Sequence, residues 1–67
     1  MFNIKYSKHA RQRMVERGIS EYEILKAISR GKKRIHKNKI ITTYTYFEVV
    51  YKKIGDDYYI ITVQLRW

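Results

Sequence analysis

Sixty-seven residues limit the chain to one small domain, expected to span 1–67 and to bury only about 60% of its unfolded surface. With no cysteine, neither a disulfide framework nor a thiolate metal site is open to it, and no apolar run reaches the roughly 18 residues of a membrane span. A formal net charge of +9 and a pI near 10.0 point instead to a polyanionic partner, of which nucleic acid is the commonest.

The distribution of that charge matters more than its sum. Residues 1–31 carry seven basic and three acidic side chains, residues 32–39 five basic and none acidic, and residues 40–67 three of each. Proline is absent and 45% of residues are hydrophobic, which argues against a disordered tail. Met1 leads into no signal-like apolar segment, so a soluble, cytoplasmic protein with no membrane contact is expected.

In chain order, Phe2, Ile4 and Tyr6 alternate with Asn3 and Lys5 and predict a short strand. Ser7 is the expected N-cap of a helix from Lys8 to Arg17, closed by Gly18. On it Ala10, Met14 and the stem of Arg17 share one face, with His9, Arg13 and Glu16 on the neighbouring stripe. Ser20 and Glu23 then form a capping box, and Ile19 and Ile24 a hydrophobic staple, for a second helix. Ile24, Leu25, Ala27 and Ile28 make its buried stripe and Gly31 ends it. The two helices form a hairpin.

After Gly31 the pattern turns from helical to alternating. Segments at Arg34–His36, Ile40–Lys53 and Asp57–Arg66 are rich in Ile, Val, Thr and Tyr and predict strands. A three-residue turn at Gly55-Asp56-Asp57 would pair Tyr51 with Ile61, Val49 with Val63 and Phe47 with Leu65, apolar against apolar. A similar turn at Lys37-Asn38-Lys39 would pair Ile35 with Ile41. The fold class is therefore α+β, in the order βααβββ, with the helical hairpin packed on one face of a small antiparallel sheet. The helices should cover Ile35, Ile41, Phe47, Val49, Tyr51, Ile61, Val63 and Leu65. The opposite face would carry Arg34, His36, Tyr44, Tyr46, Glu48, Lys52, Thr62, Gln64 and Arg66. Such a face suits base stacking and phosphate contact, and it equally suits an ordinary polar sheet surface.

Two histidines, no cysteine and no carboxylate pair at ligand spacing argue against a metal site, and neither a phosphate-binding glycine loop nor serine-nucleophile machinery is present. No cofactor is expected. Metal-free RNA cleavage stays open, because the ribose 2′-OH supplies the nucleophile and the protein needs only a base, an acid and a cation. His9 and Arg13, one helical turn apart, are the candidates for base or acid and for phosphate clamp, with Glu48 or a sheet tyrosine as the second acid or base. A structural role fits the same residues: His9 as a half-buried helix residue, Arg13 paired with Glu16 or Glu48. Lys32, Lys33, Arg34 and Lys37 are the expected RNA-backbone contacts, with His36, Tyr44, Tyr46 and Arg66 around them. A helix-turn-helix reading is weaker, because Glu21 and Glu23 would meet the phosphates.

From Ser7-Lys8-His9-Ala10 through Arg13-Met14 to Arg17-Gly18-Ile19-Ser20 the chain resembles the family called domain of unknown function 4258. Its members open with a His, an Arg-Met one turn later and an Arg-x-Ile-Ser junction, and close on a strand with an Ile-Thr-Val pattern, here Ile61-Thr62-Val63. That family is similar to the RelE/ParE superfamily of small toxins, which share a helical hairpin followed by an antiparallel sheet. The resemblance implies a RelE-like toxin acting as a free or ribosome-dependent RNA endonuclease, a gyrase-directed toxin, or a non-catalytic relative. It singles out His9, Arg13, Met14, Arg17 and Ile19. An acidic or amphipathic antitoxin segment would then cover the basic sheet face. The remaining alternatives are a non-catalytic nucleic-acid-binding module and a homodimeric interaction domain.

Overall fold

The computed structural model describes residues 3–66; Phe2, expected in the first strand, lies outside them. Among the described residues the chain runs β1 (Asn3–Tyr6), α1 (Lys8–Arg17), α2 (Glu21–Arg30), β2 (Lys32–His36), β3 (Lys39–Tyr44), β4 (Phe47–Ile54) and β5 (Asp57–Leu65). Both helices have the bounds that their caps predict. Ser7 accepts the Ala10 N–H, and Gly18 closes α1 in the left-handed region at φ 68°. At α2 both halves of the Ser20–Glu23 capping box form, and Ile19 and Ile24 are buried together.

All five strands join one sheet in the order β1-β5-β4-β3-β2. β1 pairs parallel to β5, and the other pairings are antiparallel. The core lies on one face of this sheet, where Ala10, Met14, Ile19, Ile24, Ala27 and Ile28 meet Phe47, Val49, Tyr51, Ile60 and Val63. Arg17, expected to lend its stem to this layer, is exposed, and Leu25 stands at its rim. Thr42 is fully buried and donates to the Ala27 carbonyl at 2.8 Å, which holds the end of α2 against β3. Gly31 is needed there for space: a Cβ would collide with Thr42 Oγ1 and the Ala27 carbonyl.

The order βααβββ needs one more strand. What alternation suggests is a single segment from Ile40 to Lys53 is two strands, folded back at Thr45-Tyr46. The turn carries none of the usual glycine, asparagine or proline signals; Thr45 itself adopts φ 50° and its hydroxyl donates to the Tyr44 carbonyl at 2.8 Å.

The other two hairpins also have two-residue loops, Lys37-Asn38 and Gly55-Asp56, in place of the expected three. Ile35 therefore pairs with Ile40, and Ile41 with Arg34. Ile41 is buried, but on the face away from Thr42 and the helices. Ile35 is on the helix face yet 79% exposed, because the helices pack over β3, β4 and β5 and leave β2 bare. Tyr44 moves too: two residues from Thr42, it is on the helix face and meets Phe47 edge-on at 6.1 Å.

Between β4 and β5 the register changes along the ladder. Near the turn Tyr51 faces Ile60, whereas beyond a bulge Val50 faces Thr62, Val49 faces Val63 and Phe47 faces Leu65. Ile61 is the extra residue, so Ile60 takes the core position expected of it. Ser7 fastens this bulge. Its N–H donates to the Ile60 carbonyl at 3.0 Å and its hydroxyl to the Ile61 carbonyl at 2.7 Å, while the same oxygen caps α1.

Ser7→Ala removes a cap and leaves a bulge carbonyl without its donor, so it should cost about 1–2 kcal/mol in urea unfolding. Gly31→Ala should cost roughly 1–3 kcal/mol by overpacking. A Ser7→Ala midpoint equal to wild type would show that the bulge does not depend on the cap.

Candidate nucleic-acid interface

The sheet face opposite the helices is built by alternation. Lys32, Arg34 and His36 of β2, Ile41 and Thr43 of β3, Glu48 and Val50 of β4, and Thr62 and Gln64 of β5 share it through cross-strand pairing. At its centre Glu48 is 88% covered, its side chain 12% exposed, and accepts three hydrogen bonds. These come from Gln64 Nε2 at 2.9 Å, Thr43 Oγ1 at 3.1 Å and Arg34 Nη1 at 3.3 Å. The Gln64 bond does most to hold the Glu48 carboxyl below its ordinary range; partial burial opposes this, and Thr43 and Arg34 add to it.

Beside this cluster lies a cavity of about 400 Å³ lined by Lys32, Lys33, Arg34, Thr43, Thr45 and Arg66. Arg66 is brought there as β5 runs past the Thr45-Tyr46 turn, its N–H donating to the Tyr46 carbonyl at 2.8 Å. Among the described residues, Lys32, Lys33 and Arg66 have no carboxylate within ion-pair distance, and Arg34 alone is paired, with Glu48. The Thr43 and Thr45 hydroxyls already donate, to Glu48 and to the Tyr44 carbonyl. The free donors of this cavity are therefore cationic, and its chemistry is that of an anion site.

Four of the residues expected to contact RNA, Lys32, Lys33, Arg34 and Arg66, thus line one cavity. His36 and Lys37 are exposed at the far end of the β2–β3 hairpin, outside that lining. Tyr44 belongs to the helix side, and Tyr46 sits in the turn, edge-on to Phe47 at 5.4 Å. His9 and Arg13 do meet: Arg13 Nε donates to His9 Nε2 at 3.5 Å, and Arg13 Nη1 lies 3.8 Å from Glu16. They occupy the surface of α1, on the helix side of the sheet, whereas Glu48 is on the other side, so the three do not converge. Sequence reasoning missed Thr43 and Thr45. The Glu48–Gln64 pair was implicit in the register that joins Val49 to Val63.

Among the described residues no helix is long and apolar enough to cross a membrane, and no group of three His, Asp or Glu side chains could hold a metal ion.

Comparison with known proteins adds two findings. Residues 6–64 match the family described as "Domain of unknown function (DUF4258)", and the chain belongs to that family. Its fold is similar to that of a chain in the crystal structure of the toxin–antitoxin complex RelBE2 from Mycobacterium tuberculosis. The TM-score is 0.71 at 11% identity, over 97% of this chain and 98% of that one, a likeness of fold alone. No curated protein matches the sequence significantly.

The Glu48 cluster gives the open face a pH signature. Because its folded pKa lies below the unfolded one, ionised Glu48 contributes stability above the ordinary Glu range, about 4.3, and that contribution is lost as pH falls through the folded value. Glu48→Gln should therefore be less stable than wild type near neutral pH, with the gap closing in acid. Urea midpoints measured across that range check this; a gap that stays constant would assign the effect to shape rather than charge.

Proposed function

We propose, with membership of that family as the starting point, that the protein is an RNA-directed, toxin-like chain that binds the phosphate backbone in the cavity of Lys32, Lys33, Arg34 and Arg66. The observation that carries this reading is a cavity edged by Lys32 and Arg66, neither ion-paired among the described residues, and by Arg34, which is oriented by the Glu48 carboxylate. Unpaired cations held close together raise the local potential and attract a polyanion, releasing its counterions on contact. The toxin-like part rests on the RelE-like fold, and fold alone carries no chemistry. An acidic segment of an antitoxin partner would be complementary to the same face.

Metal-free endoribonuclease activity is the second reading, favoured by the exposed His9–Arg13 contact. An imidazole nitrogen facing a guanidinium puts a proton acceptor beside a phosphate clamp. Glu48 is the weaker acid–base candidate, since its hydrogen bonds and lowered pKa suit a group that holds Arg34 in place. Cleavage at α1 with binding at the cavity would need one RNA strand to reach round the sheet edge.

Labelled single-stranded RNA in EDTA, with and without ribosomes, separates these readings. Binding should weaken steeply with salt, and Lys32→Ala or Arg66→Ala should each lower the logarithmic salt slope by about one. His9→Ala should leave affinity nearly intact and abolish any cleavage, whereas Arg13→Ala should abolish cleavage and weaken binding by the loss of its one phosphate contact. Salt slopes unchanged in both cavity variants would move the RNA contact elsewhere. Intact RNA with wild-type protein would leave a binding module, and fragments persisting in both α1 variants would remove His9 and Arg13 from the chemistry.

A further inference from the structure

The cavity is dense in charge and small in extent. Lys32, Lys33 and Arg34 are consecutive residues of β2, so their Cα atoms span only roughly 7 Å, and Arg66 closes the site from the end of β5. Among the described residues, Lys32, Arg34 and Arg66 stand against one carboxylate, Glu48, whose oxygens are occupied by Gln64, Thr43 and Arg34, while Lys33 alternates to the other side of β2. Surfaces that track a single strand spread their cations along a groove several nucleotides long and interleave aromatic platforms. Among the described residues no aromatic side chain lines the cavity, and Tyr44 and Tyr46, which flank Thr45, pack on Phe47.

An internal phosphodiester offers one negative charge and two free oxygens. A terminal phosphomonoester offers close to two charges at neutral pH and three strong acceptor oxygens. We propose that the cavity is a site for a terminal phosphomonoester dianion, carried by the phosphorylated end of an RNA strand or by a free nucleotide. Arg34 and Arg66 supply planar donor forks, and Lys32 supplies a point charge at the third oxygen. Glu48 acts as a positioning residue that presents the Arg34 guanidinium.

This inference rests on the cavity being the RNA-contacting surface, and the test separates the two. The probes are 2′-O-methyl oligonucleotides, which cannot be cleaved through the 2′-oxygen, ending in a 5′-hydroxyl, a 5′-phosphate or a 5′-methylphosphate. Adenosine monophosphate is the free-nucleotide arm. The 5′-phosphate strand should bind roughly tenfold more tightly than the other two, the worth of about one added charge-assisted hydrogen bond. Arg66→Ala should erase that difference, with circular dichroism confirming the fold, and Lys32→Ala should reduce it independently. Adenosine monophosphate competing as well as the phosphorylated strand would make a free nucleotide the source; weak competition would make it an RNA end. Equal affinity for all three strands overturns the terminal-phosphate site and leaves the RNA reading standing. Nucleotide binding with no strand bound even at low salt overturns the RNA reading and leaves the anion site standing.

Discussion

Ser7 joins the two layers of the molecule through a single oxygen and a single N–H. The hydroxyl oxygen accepts from the Ala10 N–H, starting α1, and its O–H donates to the carbonyl of Ile61, the extra residue of the β5 bulge, while the backbone N–H reaches the neighbouring Ile60 carbonyl. Without the bulge, one register would have to run the whole β4–β5 ladder. If the turn-proximal register held, Glu48 would face Val63 and a carboxylate would oppose the core. The bulge moves the distal half by one residue, so Val49 faces Val63 beneath the helices and Glu48 faces Gln64 on the other side. The polar cluster of the open face thus takes its register from a bulge whose carbonyls Ser7 engages.

From that register the rest of the open face follows. Gln64, Thr43 and Arg34 come from three different strands and converge on Glu48 because their positions share one side of the pleat. Each is a donor, and together they satisfy a carboxylate that would otherwise be costly to cover. Arg34 spends one end of its guanidinium on Glu48 and is held beside the cavity, while its neighbours Lys32 and Lys33 are left to solvent.

How much of this could be read in the sequence depended on the kind of signal. The helices were legible to the residue, because Ser7, Gly18, the Ser20–Glu23 box and the Ile19–Ile24 staple are local chemistry with fixed spacing. The sheet was less so, and for a common reason. All three hairpins use two-residue loops whose first residue has positive φ: Lys37 at 57°, Thr45 at 50° and Gly55 at 61°. Glycine is the residue expected there, and only the last loop supplies it. The Thr45 turn was therefore invisible, and the Lys37 turn was placed with one residue too many. That single residue reversed the partners of Ile35 and Ile41. At the cavity, the basic run 32–39 gave Lys32, Lys33 and Arg34, but Thr43 and Thr45 follow from loop geometry that composition does not encode. His9 and Arg13 were legible as a pair; that a sheet separates them from Glu48 was not.

β2 remains the least protected strand. It stands at the sheet edge beyond the helical layer, with Ile35 bare and every residue exposed. An open edge with an uncovered isoleucine is a template for pairing with a second copy, and lysine on the edge is the usual deterrent. Here Lys32, Lys33 and Arg34 supply that deterrent by mutual repulsion between molecules, so colloidal behaviour and anion occupancy draw on the same charges. Any anion that neutralises them also lowers the barrier between two edges, and a saturated protein is the one most prone to stick to itself.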